Sequence, residues 1–432
     1  MSDSTDLVIA GPRPLRGGLR LPGDKGISHR ALLAGALASG PSRVSWLAPG
    51  DDVARTRAAL TALGVEITDD EDDGAIVVDG AGADALHAPT GDVDCGNSGT
   101  TMRMLAGLVA ARPFRTVLTG DASLLERPMG RVAEPLRALG ADVDGRDGGN
   151  RPPLVVQGGP LKGTNLDLDV ASGQVQTALV LAGLQAEGRT EIVEPAPSRD
   201  HTERLFGALG APVERVDDRT LRVRTGAPEP FELRVSGDPS SAAFFVVAAL
   251  VTPGSEIYLE DVLLNPGRLA FVDTLRAMGA TIDVHVLGER LGEPVGDMEV
   301  ASASLRGTTV VCTEPMIDEV PALAVAAAFA EGVTEFTNVA ELRVKESDRL
   351  ATIEQELTQL GAGVERSVDR LTVRGGKPRA ATFTSHGDHR VALAAAVAAN
   401  AIQGESRIRG WDAVSVSYPG FAEDLAALTG AS

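Results

Sequence analysis

The chain has 432 residues and carries 60 acidic against 40 basic side chains, a formal net charge of −20. This balance argues against a surface for polyanions, and an aromatic content of 3% leaves few rings for stacking on bases, so we expect no binding of nucleic acid. The length accommodates two or three domains, and two cysteines are too few for a disulfide framework.

The N-terminal segment Met1–Asp6 has neither a basic nor an apolar region, so it predicts no signal peptide. The longest apolar run, Ala242–Val251, falls well short of the ~20 residues that cross a bilayer. Free cysteines at Cys95 and Cys312 fit a reducing compartment. We therefore expect a cytoplasmic protein that does not contact membranes.

The first informative stretch is Gly23–Arg30, a polar and cationic phrase that runs directly into the apolar segment Ala31–Ser39. A helix without a polar face must be buried. Its first N–H groups have no intrahelical partner, and its dipole is positive at that end. The sequence therefore predicts an anion site where this helix begins.

The same arrangement recurs along the chain at intervals of 66 to 78 residues. The apolar, alanine-rich segments that predict buried helices are Ala31–Ser39, Met104–Ala111, Gln176–Ala186, Ala242–Val251, Val320–Ala330 and Val391–Asn400. Each is followed by an amphipathic segment that ends in a glycine, and most of these glycines precede a β-like run. The glycines are Gly64, Gly140, Gly210, Gly279, Gly361 and Gly430. Six repeats are therefore predicted, which divide most simply into two halves of three.

Basic residues are concentrated near the predicted helix starts. They are Lys25, Arg30, Arg103, Arg127, Arg199, Arg343, Lys345, Arg349 and Arg390. Each one alone suits an ordinary surface or capping role. As a group in an acidic protein, they indicate a ligand with more than one phosphate or carboxylate.

Three residues among these cations are candidate acids or bases: Asp318, Glu346 and His389. Simpler roles stay open, because Asp388-His389 also suits a helix N-cap and Glu346 is spaced to pair with Arg349. Glu319, beside Asp318, is expected to face solvent like most glutamates.

Metal and nucleotide sites are not supported. A calcium loop that begins at the acidic run 69–74 would have Gly80 at its twelfth position, which must supply a ligand, so we predict a solvated hairpin turn instead. His386 and His389 have no further histidine or cysteine nearby to complete a zinc site. Phosphate-binding glycine loops are also missing, so we expect neither a metal nor a cofactor.

Several phrases in register resemble the 5-enolpyruvylshikimate-3-phosphate synthase family across essentially the whole chain. They are Leu21–Arg30, Gly96–Arg103, Glu126–Pro128, Ser198–Glu203, Arg343–Arg349 and Gly387–Arg390. The resemblance implies transfer of enolpyruvyl from phosphoenolpyruvate to the 5-hydroxyl of shikimate 3-phosphate. It also implies an inside-out α/β barrel fold with two domains of three βαβαββ repeats, acting as a monomer.

From this resemblance we expect two domains. One comprises residues 1–23 plus 236–432, and the other, inserted between them, comprises residues 24–235. The hinge would lie near residues 21–24 and 234–238. The cationic helix starts of both halves predict that the domains stand open without ligand and close on anionic substrates.

The resemblance also implies site residues. Those for shikimate 3-phosphate are Lys25, Gly26, Arg30, Ser172, Gly173, Gln174, Ser198, Arg199, Asp318 and Lys345. Those for phosphoenolpyruvate are Lys25, Asn97, Gly99, Thr100, Arg127, Gln174, Arg349 and Arg390. The catalytic group would be Asp318, Glu346, Lys25, Lys345 and His389. Asp318 would accept the proton of the attacking hydroxyl, Glu346 and Lys345 would deliver one to the methylene carbon, and His389 would support them.

The chain departs from the family pattern at three positions. Gly26 stands where many members have serine, Gly173 where serine or alanine is common, and Val416 where one branch has lysine. These departures bear on affinity and on the identity of the acceptor. Gly99 leaves room in the phosphoenolpyruvate site, so we expect sensitivity to glyphosate, which competes there.

Two other functions compete with this interpretation. A UDP-N-acetylglucosamine enolpyruvyl transferase usually has a reactive cysteine on the loop near Arg127, whereas Asp121–Pro128 has none. A non-catalytic anion receptor would need the arginines but not Asp318, Glu346 and His389 together. Their joint presence favours the shikimate-phosphate enzyme.

Overall fold

The computed structural model describes residues 6–70 and 73–431. These residues divide into two compact units. Unit 1 comprises the N-terminal segment to Pro22, Ser236–Gly288 and the chain from Pro294 onward, and unit 2 comprises Gly23–Val235 and Glu289–Glu293. The inserted domain that the sequence predicts, residues 24–235, overlaps unit 2. The structure differs by adding Gly23 and the short segment Glu289–Glu293 to that unit.

The strands are short, as expected for small sheets that cover a helical core. In chain order they are β1 (Leu7–Gly11), β2 (Arg16–Arg20), β3 (Pro41–Ser45), β4 (Glu66–Asp69), β5 (Ile76–Asp79), β6 (Val93–Asp94), β7 (Arg115–Thr119), β8 (Asp142–Gly145), β9 (Arg151–Gln157), β10 (Asn165–Asp167), β11 (Arg189–Val193), β12 (Val213–Arg215), β13 (Thr220–Arg224), β14 (Glu232–Arg234), β15 (Glu256–Leu263), β16 (Ile282–Arg290), β17 (Glu293–Ala301), β18 (Thr309–Val311), β19 (Val333–Thr337), β20 (Gly363–Arg366), β21 (Arg370–Arg374), β22 (Thr382–Thr384) and β23 (Gly404–Arg409).

The helices alternate between buried and amphipathic. In chain order they are α1 (Lys25–Leu37), α2 (Asp51–Ala62), α3 (Gly99–Val109), α4 (Gly130–Ala138), α5 (Arg146–Gly149), α6 (Gly173–Gly183), α7 (His201–Ala208), α8 (Pro239–Val251), α9 (Ala270–Ala277), α10 (Val320–Phe329), α11 (Arg349–Leu360), α12 (His389–Ala401) and α13 (Phe421–Thr429). Short 3-10 segments precede several of them, at Leu124–Glu126, Pro266–Arg268, Glu314–Glu319 and Ala340–Val344.

Over the described residues the strands form six sheets, three in each unit, with one recurrent topology. The sheets of unit 2 have the orders β14-β3-β5-β4, β6-β7-β9-β8 and β10-β11-β13-β12; those of unit 1 have the orders β16-β17-β15-β2, β18-β19-β21-β20 and β1-β23-β22. In every sheet one strand pairs parallel with its neighbour, which pairs antiparallel with another strand. The six predicted repeats are therefore present.

Three repeats have their strands and helices in uninterrupted βαβαββ order, for example β6-α3-β7-α4-β8-β9, in which α5 is a single inserted turn. In each of the other three repeats, one strand of the sheet comes from a distant part of the chain. Strand β2 precedes α1 but pairs with β15, while β14 precedes α8 but pairs with β3. The N-terminal strand β1 completes the last sheet by pairing with β23.

The six predicted buried helices are α1, α3, α6, α8, α10 and α12, and all of them are buried along nearly their whole length. Five of them begin earlier than the apolar patterns indicated. The polar phrases therefore form their first turns instead of preceding loops, because Asp24, Ser98, Ser172, Asp238 and Asp388 cap the helices from within those phrases.

The predicted terminal glycines are also confirmed. All six lie directly after, or two residues after, an amphipathic helix and have positive φ: Gly64, Gly140, Gly210, Gly279, Gly361 and Gly430. Only a residue without a Cβ adopts this conformation at low cost, which explains the recurrence.

Two further sequence predictions concern loops and membranes. Strands β4 and β5 pair antiparallel on either side of the predicted hairpin turn, whose central residues Glu71 and Asp72 lie outside the described residues, as does the N-terminal segment before Asp6. Among the described residues, no helix combines the length and the apolar character that crossing a membrane requires.

Helices α3 and α6 pack closely in unit 2 because Gly107 lies against the backbone of Ala178. A Cβ added to Gly107 would lie 2.0 Å from the Ala178 carbonyl oxygen, which the helix cannot move without breaking its own hydrogen bonds. By contrast, Gly207 in α7 is exposed, and its nearest neighbour would be 3.8 Å away, the carbonyl oxygen of Val213.

A chain of buried hydrogen bonds joins the first three helices of unit 2. His29 Nδ1 in α1 bonds Thr56 Oγ1 in α2 at 2.7 Å, and that hydroxyl bonds Thr101 Oγ1 in α3 at 2.7 Å. Thr101 bonds Ser98, the cap of α3, at 2.8 Å. Burial, together with the charges of Lys25 and Arg30, lowers the pKa of His29 well below its ordinary value.

Gly107 in α3 and Gly207 in α7 predict opposite effects of substitution by alanine. Gly107→Ala should lower the free energy of unfolding by more than ~2 kcal/mol, because the methyl group meets backbone. Gly207→Ala should raise it by about 0.5–1 kcal/mol, because alanine favours the helix and meets open space. Urea unfolding of both variants tests the prediction, and a stable Gly107→Ala protein would contradict the close packing of α3 on α6.

The lowered pKa of His29 predicts a pH dependence of stability. Below about pH 6.5 the unfolded chain protonates this histidine while the folded chain keeps it neutral, so acid favours unfolding. Through His29, the free energy of unfolding falls by about 1.4 kcal/mol for each pH unit below about pH 6.5. Between pH 7.5 and pH 5.5, His29→Asn should therefore lose about 1.4 kcal/mol less stability than the parent protein.

The measurement is urea unfolding at both pH values. His87→Asn is the matched control, because His87 is exposed and should leave the pH dependence of the parent unchanged. An unaltered pH dependence in His29→Asn would contradict the neutral, buried histidine.

Candidate active site

Unit 2 brings the first turns of three buried helices into the candidate site. The side chain of Asp24 accepts a hydrogen bond from the Ile27 N–H at 2.7 Å, and Ser98 and Ser172 cap α3 and α6 in the same way. The residues that follow these caps are Lys25, Gly99 and Gly173, all predicted from the sequence. Glycine at residues 99 and 173 adds no side chain over the helix N-terminus, an arrangement that suits the binding of an anion.

Arg30 is buried within α1 and held by neutral acceptors. Its Nη1 donates to the carbonyl of Gly26 at 2.9 Å, and its Nη2 donates to the carbonyl of Gly173 at 3.1 Å and to Thr177 Oγ1 at 2.8 Å. Its Nε donates to Thr202 Oγ1 at 2.9 Å. The guanidinium is therefore fixed in orientation, which favours recognition of a planar or tetrahedral anion.

The two glycines near Arg30 differ in how much space surrounds them. A Cβ at Gly26 would lie 3.1 Å from Asp24 Oδ1 and 3.2 Å from Arg30 Nη1, so a side chain there would press on the guanidinium. A Cβ at Gly173 would lie 3.4 Å from the Cβ of Arg199, an ordinary contact. Packing therefore favours glycine at residue 26 but not at residue 173.

Lys25 forms an ion pair with Asp52 at the start of α2. The distance between Lys25 Nζ and Asp52 Oδ2 is 3.1 Å, and the carboxylate is buried. Asp52 was not among the predicted site residues, because its segment indicates only an amphipathic helix. The pair holds the ammonium at the first turn of α1.

Arg127 is held by Asn97, so these two residues of the predicted phosphoenolpyruvate site lie together. Arg127 Nη2 donates to Asn97 Oδ1 at 2.5 Å, and Asn97 Nδ2 donates to Asp121 Oδ2 at 2.7 Å. Asp121 also caps its own loop by accepting a hydrogen bond from the Leu124 N–H at 2.8 Å. Asp121 is thus a structural residue of the loop.

Gln174 is fixed from two sides. Its Nε2 donates to Thr100 Oγ1 at 2.9 Å, and its Oε1 accepts from Arg103 Nη1 at 2.6 Å. Arg103 also donates to the carbonyl of Pro128 at 3.1 Å. Arg103 stood among the cations near helix starts but was not among the predicted site residues, although it orients one of them. A Cβ at Gly99 would lie 2.8 Å from Arg103 Nη1.

Ser172 and Ser198 flank the buried carboxylate of Glu194. The N–H of Ser172 donates to Glu194 Oε1 at 3.3 Å, and Gln176 donates to Glu194 Oε2 at 3.1 Å. Burial raises the pKa of Glu194. Ser198 is buried and Arg199 is half-buried, both just before α7.

Unit 1 places Asp318 among three cations. Asp318 Oδ1 lies 3.2 Å from Arg349 Nη1 and 3.4 Å from Lys345 Nζ, and Asp318 Oδ2 lies 3.8 Å from Arg390 Nη2. Arg390 also donates to the main-chain carbonyl of Asp318 at 3.1 Å. Residues separated by more than 70 positions in the sequence thus meet.

Arg349 is the centre of this second cluster. It is 1% exposed, and its Nε donates to Asp388 Oδ2 at 2.8 Å, while Nη2 donates to Glu346. Burial by itself would lower the pKa of Arg349, but the carboxylates of Asp388, Glu346 and Asp318 raise it above its ordinary value. The guanidinium therefore stays charged within the protein.

Asp388, which the sequence suggested only as a helix cap, also bonds residues of this cluster. It does cap α12, accepting a hydrogen bond from the N–H of Arg390 at 3.0 Å. It also accepts from Ser347 Oγ at 3.1 Å and from Arg349, so it organises the cluster while fully buried. His389, the next residue, is buried at the first position of α12.

One expectation about this region is wrong: Glu319 does not face solvent, because it is 1% exposed and accepts a hydrogen bond from Ser240 Oγ. Arg343, for which an ordinary surface role stayed open, bonds the carbonyls of Ser367 and Val368 at 3.1 and 3.2 Å. Burial and loop direction depend on distant contacts that neither residue's local sequence encodes.

The histidines and cysteines have structural partners or environments. His386 Nε2 bonds Glu356 Oε1 at 2.8 Å instead of approaching a zinc ligand set. Asp200, His201 and Glu293 form one compact group within the described residues, but Arg204 Nε already bonds Asp200 Oδ2 at 2.6 Å. Cys95 and Cys312 are buried, which raises the pKa of each thiol to about 12, so neither suits a nucleophile.

Comparison with known proteins agrees with this arrangement. The sequence model of EPSP synthase (3-phosphoshikimate 1-carboxyvinyltransferase) matches residues 9–425. A 3-phosphoshikimate 1-carboxyvinyltransferase of Synechococcus sp. (strain JA-3-3Ab) is 48% identical over 431 residues, which cover 98% of this chain and 97% of the relative. One of Thermus thermophilus is 49% identical over 426 residues, covering 97% of this chain and 98% of the relative.

Solved structures agree as well. EPSP synthase from Acinetobacter baumannii has a TM-score of 0.85 at 38% identity and covers 98% of this chain and 97% of its own. The enolpyruvyl transferase NikO from Streptomyces tendae has a TM-score of 0.78 at 20% identity, covering 98% and 97%, and this likeness concerns the fold alone. The predicted two-domain inside-out α/β barrel is thereby confirmed, and the chain belongs to the EPSP synthase family.

Proposed function

We propose that this chain transfers the enolpyruvyl group of phosphoenolpyruvate to the 5-hydroxyl of shikimate 3-phosphate and releases phosphate. Membership of the family supports the reaction. The observation that carries the proposal is the carboxylate of Asp318, which has Lys345, Arg349 and Arg390 around it. An anion receptor would need the cations but would gain nothing from a carboxylate at their centre.

Residues of unit 2 suit shikimate 3-phosphate. We assign Lys25, Gly26, Arg30, Ser172, Gly173, Gln174, Ser198 and Arg199 to this substrate, together with Asp318 and Lys345. The first turns of α1 and α6 supply N–H groups and positive dipole ends. The fixed guanidinium of Arg30 adds a charge whose orientation is set before the substrate binds.

The phosphoenolpyruvate site, in this proposal, comprises Lys25, Asn97, Gly99, Thr100, Arg127, Gln174, Arg349 and Arg390. Arg127 is oriented by Asn97, and Gln174 by Thr100 and Arg103. Cations held in advance stabilise the charge that develops on the departing phosphate without further reorganisation. Sensitivity to glyphosate stays a prediction that rests on Gly99.

The reaction needs two proton transfers. Glu346 or Lys345 delivers a proton to the methylene carbon of phosphoenolpyruvate, which leaves its C2 cationic. The 5-hydroxyl oxygen attacks C2 while Asp318 takes the hydroxyl proton. The bond from C2 to the phosphate oxygen then breaks, the methyl group returns a proton to the donor, and the double bond forms again. Lys25 and His389 support these steps in our assignment.

The sister activity toward UDP-N-acetylglucosamine is less well supported. The loop Asp121–Pro128 has no cysteine, and Asp121 is occupied by Asn97 and by the Leu124 N–H. Cys95 is the nearest thiol in sequence, but it is buried and its pKa is raised to about 12. We further propose a cytoplasmic monomer that acts without a cofactor and without nucleic acid or membrane partners.

The function is tested by phosphate release. With phosphoenolpyruvate and shikimate 3-phosphate, the purified protein should release phosphate and form enolpyruvylshikimate 3-phosphate. With UDP-N-acetylglucosamine as the acceptor it should release none above background, because the assigned residues recognise a small phosphorylated acceptor. The product is identified by mass spectrometry, and preferential turnover of the nucleotide sugar would overturn the proposal.

The base is tested by Asp318→Asn. Asparagine keeps the shape and the hydrogen bond to the hydroxyl but cannot accept its proton, so kcat should fall by about 10²–10⁴. Both KM values should stay within a few-fold. Steady-state kinetics with both substrates measures this, and Asp297→Asn is the matched control, a buried carboxylate of the same unit that pairs with Tyr258. Near-normal turnover of Asp318→Asn would assign the base elsewhere, first to Glu346.

A further inference from the structure

Glu319, the residue directly after Asp318, has no role in the proposed enolpyruvyl transfer. It closes the 3-10 segment Glu314–Glu319 and stands at the N-cap position of α10, yet its side chain does not cap that helix. It is 1% exposed instead and points into the interior of unit 1. Burying a carboxylate costs free energy unless hydrogen bonds or opposite charges offset the loss of water, so the partners of Glu319 must supply this compensation.

Those partners form a compact network at the start of α8. Glu319 Oε1 accepts a hydrogen bond from Ser240 Oγ and lies 3.7 Å from Arg268 Nη2. Arg268 donates to the same Ser240 hydroxyl at 2.7 Å and to Asp238 Oδ1 at 3.2 Å. Asp238 caps α8 by accepting from the N–H of Ser240 at 2.7 Å. Ser240 therefore bridges the guanidinium and Glu319 as acceptor and donor at once.

This network is buried on every side. Ser240 is 4% exposed, Arg268 is 3% exposed, and the second carboxylate oxygen of Glu319, Oε2, is buried without a hydrogen-bond partner among the described residues. Glu319 is thus attached through one oxygen, to the Ser240 hydroxyl and, at 3.7 Å, to the Arg268 guanidinium. Loss of that attachment leaves a buried charge with little to hold it, so the contact determines where this part of the chain sits.

Asp318 and Glu319 are adjacent in a 3-10 helix, where successive side chains point about 120° apart because a turn has about 3.0 residues. When Glu319 is fixed inward, the direction of Asp318 is fixed as well. Asp318 then reaches Arg349 at 3.2 Å and Lys345 at 3.4 Å. A carboxylate misplaced by about 1 Å loses much of its value as a base.

We propose that Glu319, held by Ser240 and Arg268, is a positioning residue that sets the placement of the Asp318 carboxylate. This inference rests on the proposed function, which assigns the base to Asp318. Glu319 itself touches no substrate in this account. It acts on the rate only through its neighbour.

The central experiment is a double-mutant cycle. Glu319→Ala should lower kcat by about 10- to 100-fold with both KM values within a few-fold. In the Asp318→Asn background the same change should alter kcat by less than twofold, because no base is left to position. Multiplicative effects in the double variant, or normal kcat in a folded Glu319→Ala protein, would overturn the proposal.

Two further variants keep the test decisive if Glu319→Ala does not fold. Glu319→Gln retains an oxygen that accepts from Ser240, so it should recover most of the lost kcat. Ser240→Ala removes the bridge from the other side and should reproduce the loss, again only when Asp318 is present. Normal kcat in Ser240→Ala would contradict the proposal. Asp297→Asn again serves as the matched control, and its effect should be small and multiplicative with Asp318→Asn.

A crystal structure of Glu319→Ala, or of Ser240→Ala if the former does not fold, provides a readout that does not depend on turnover. The distance from Asp318 Oδ1 to Arg349 Nη1 should lengthen beyond hydrogen-bond reach. An unmoved Asp318 would overturn the positioning role whatever the kinetics show. Failure of the proposed function appears elsewhere, as parent protein that releases no phosphate or as an Asp318→Asn variant with near-normal turnover.

Discussion

The structure depends on how a helix that is buried on all sides satisfies its first N–H groups. Within residues 6–70 and 73–431, six such helices form the cores of the two units, and none of the six has a polar face to turn toward water. Five of them have an aspartate or serine cap whose side chain accepts a hydrogen bond from the first turn. The same positive helix ends that demand these caps attract anionic ligands. Stability and the proposed substrate binding therefore depend on one physical feature.

The two units stabilise their buried arginines in different ways. In unit 2, backbone carbonyls and threonine hydroxyls hold Arg30. In unit 1, the carboxylates of Asp388, Glu346 and Asp318 surround Arg349. The first environment fixes the orientation of a charge, which suits an anionic ligand, whereas the second also brings together groups that are able to accept and donate protons. We assign binding mainly to the former and chemistry mainly to the latter on this basis.

The acidic character of the chain makes the local cations more important. With a net charge of −20, the protein as a whole repels anionic substrates. Cations concentrated at the first turns of buried helices overcome that repulsion locally, and burial strengthens them because water screens them less. Neighbouring side chains hold these groups in place. Asp52 holds Lys25, Asn97 holds Arg127, and Arg103 holds Gln174.

The sequence by itself determined the repeats, the buried helices, the terminal glycines and the family, because each depends on local composition or on phrases in fixed order. The tertiary structure decided which strands complete which sheet, as when β2 pairs with β15 and β14 with β3. It also decided that Arg343 turns away, that Asp388 joins Arg349, and that Glu319 is buried. These outcomes depend on residues tens or hundreds of positions apart, and the packing that joins them leaves no periodic pattern in the chain.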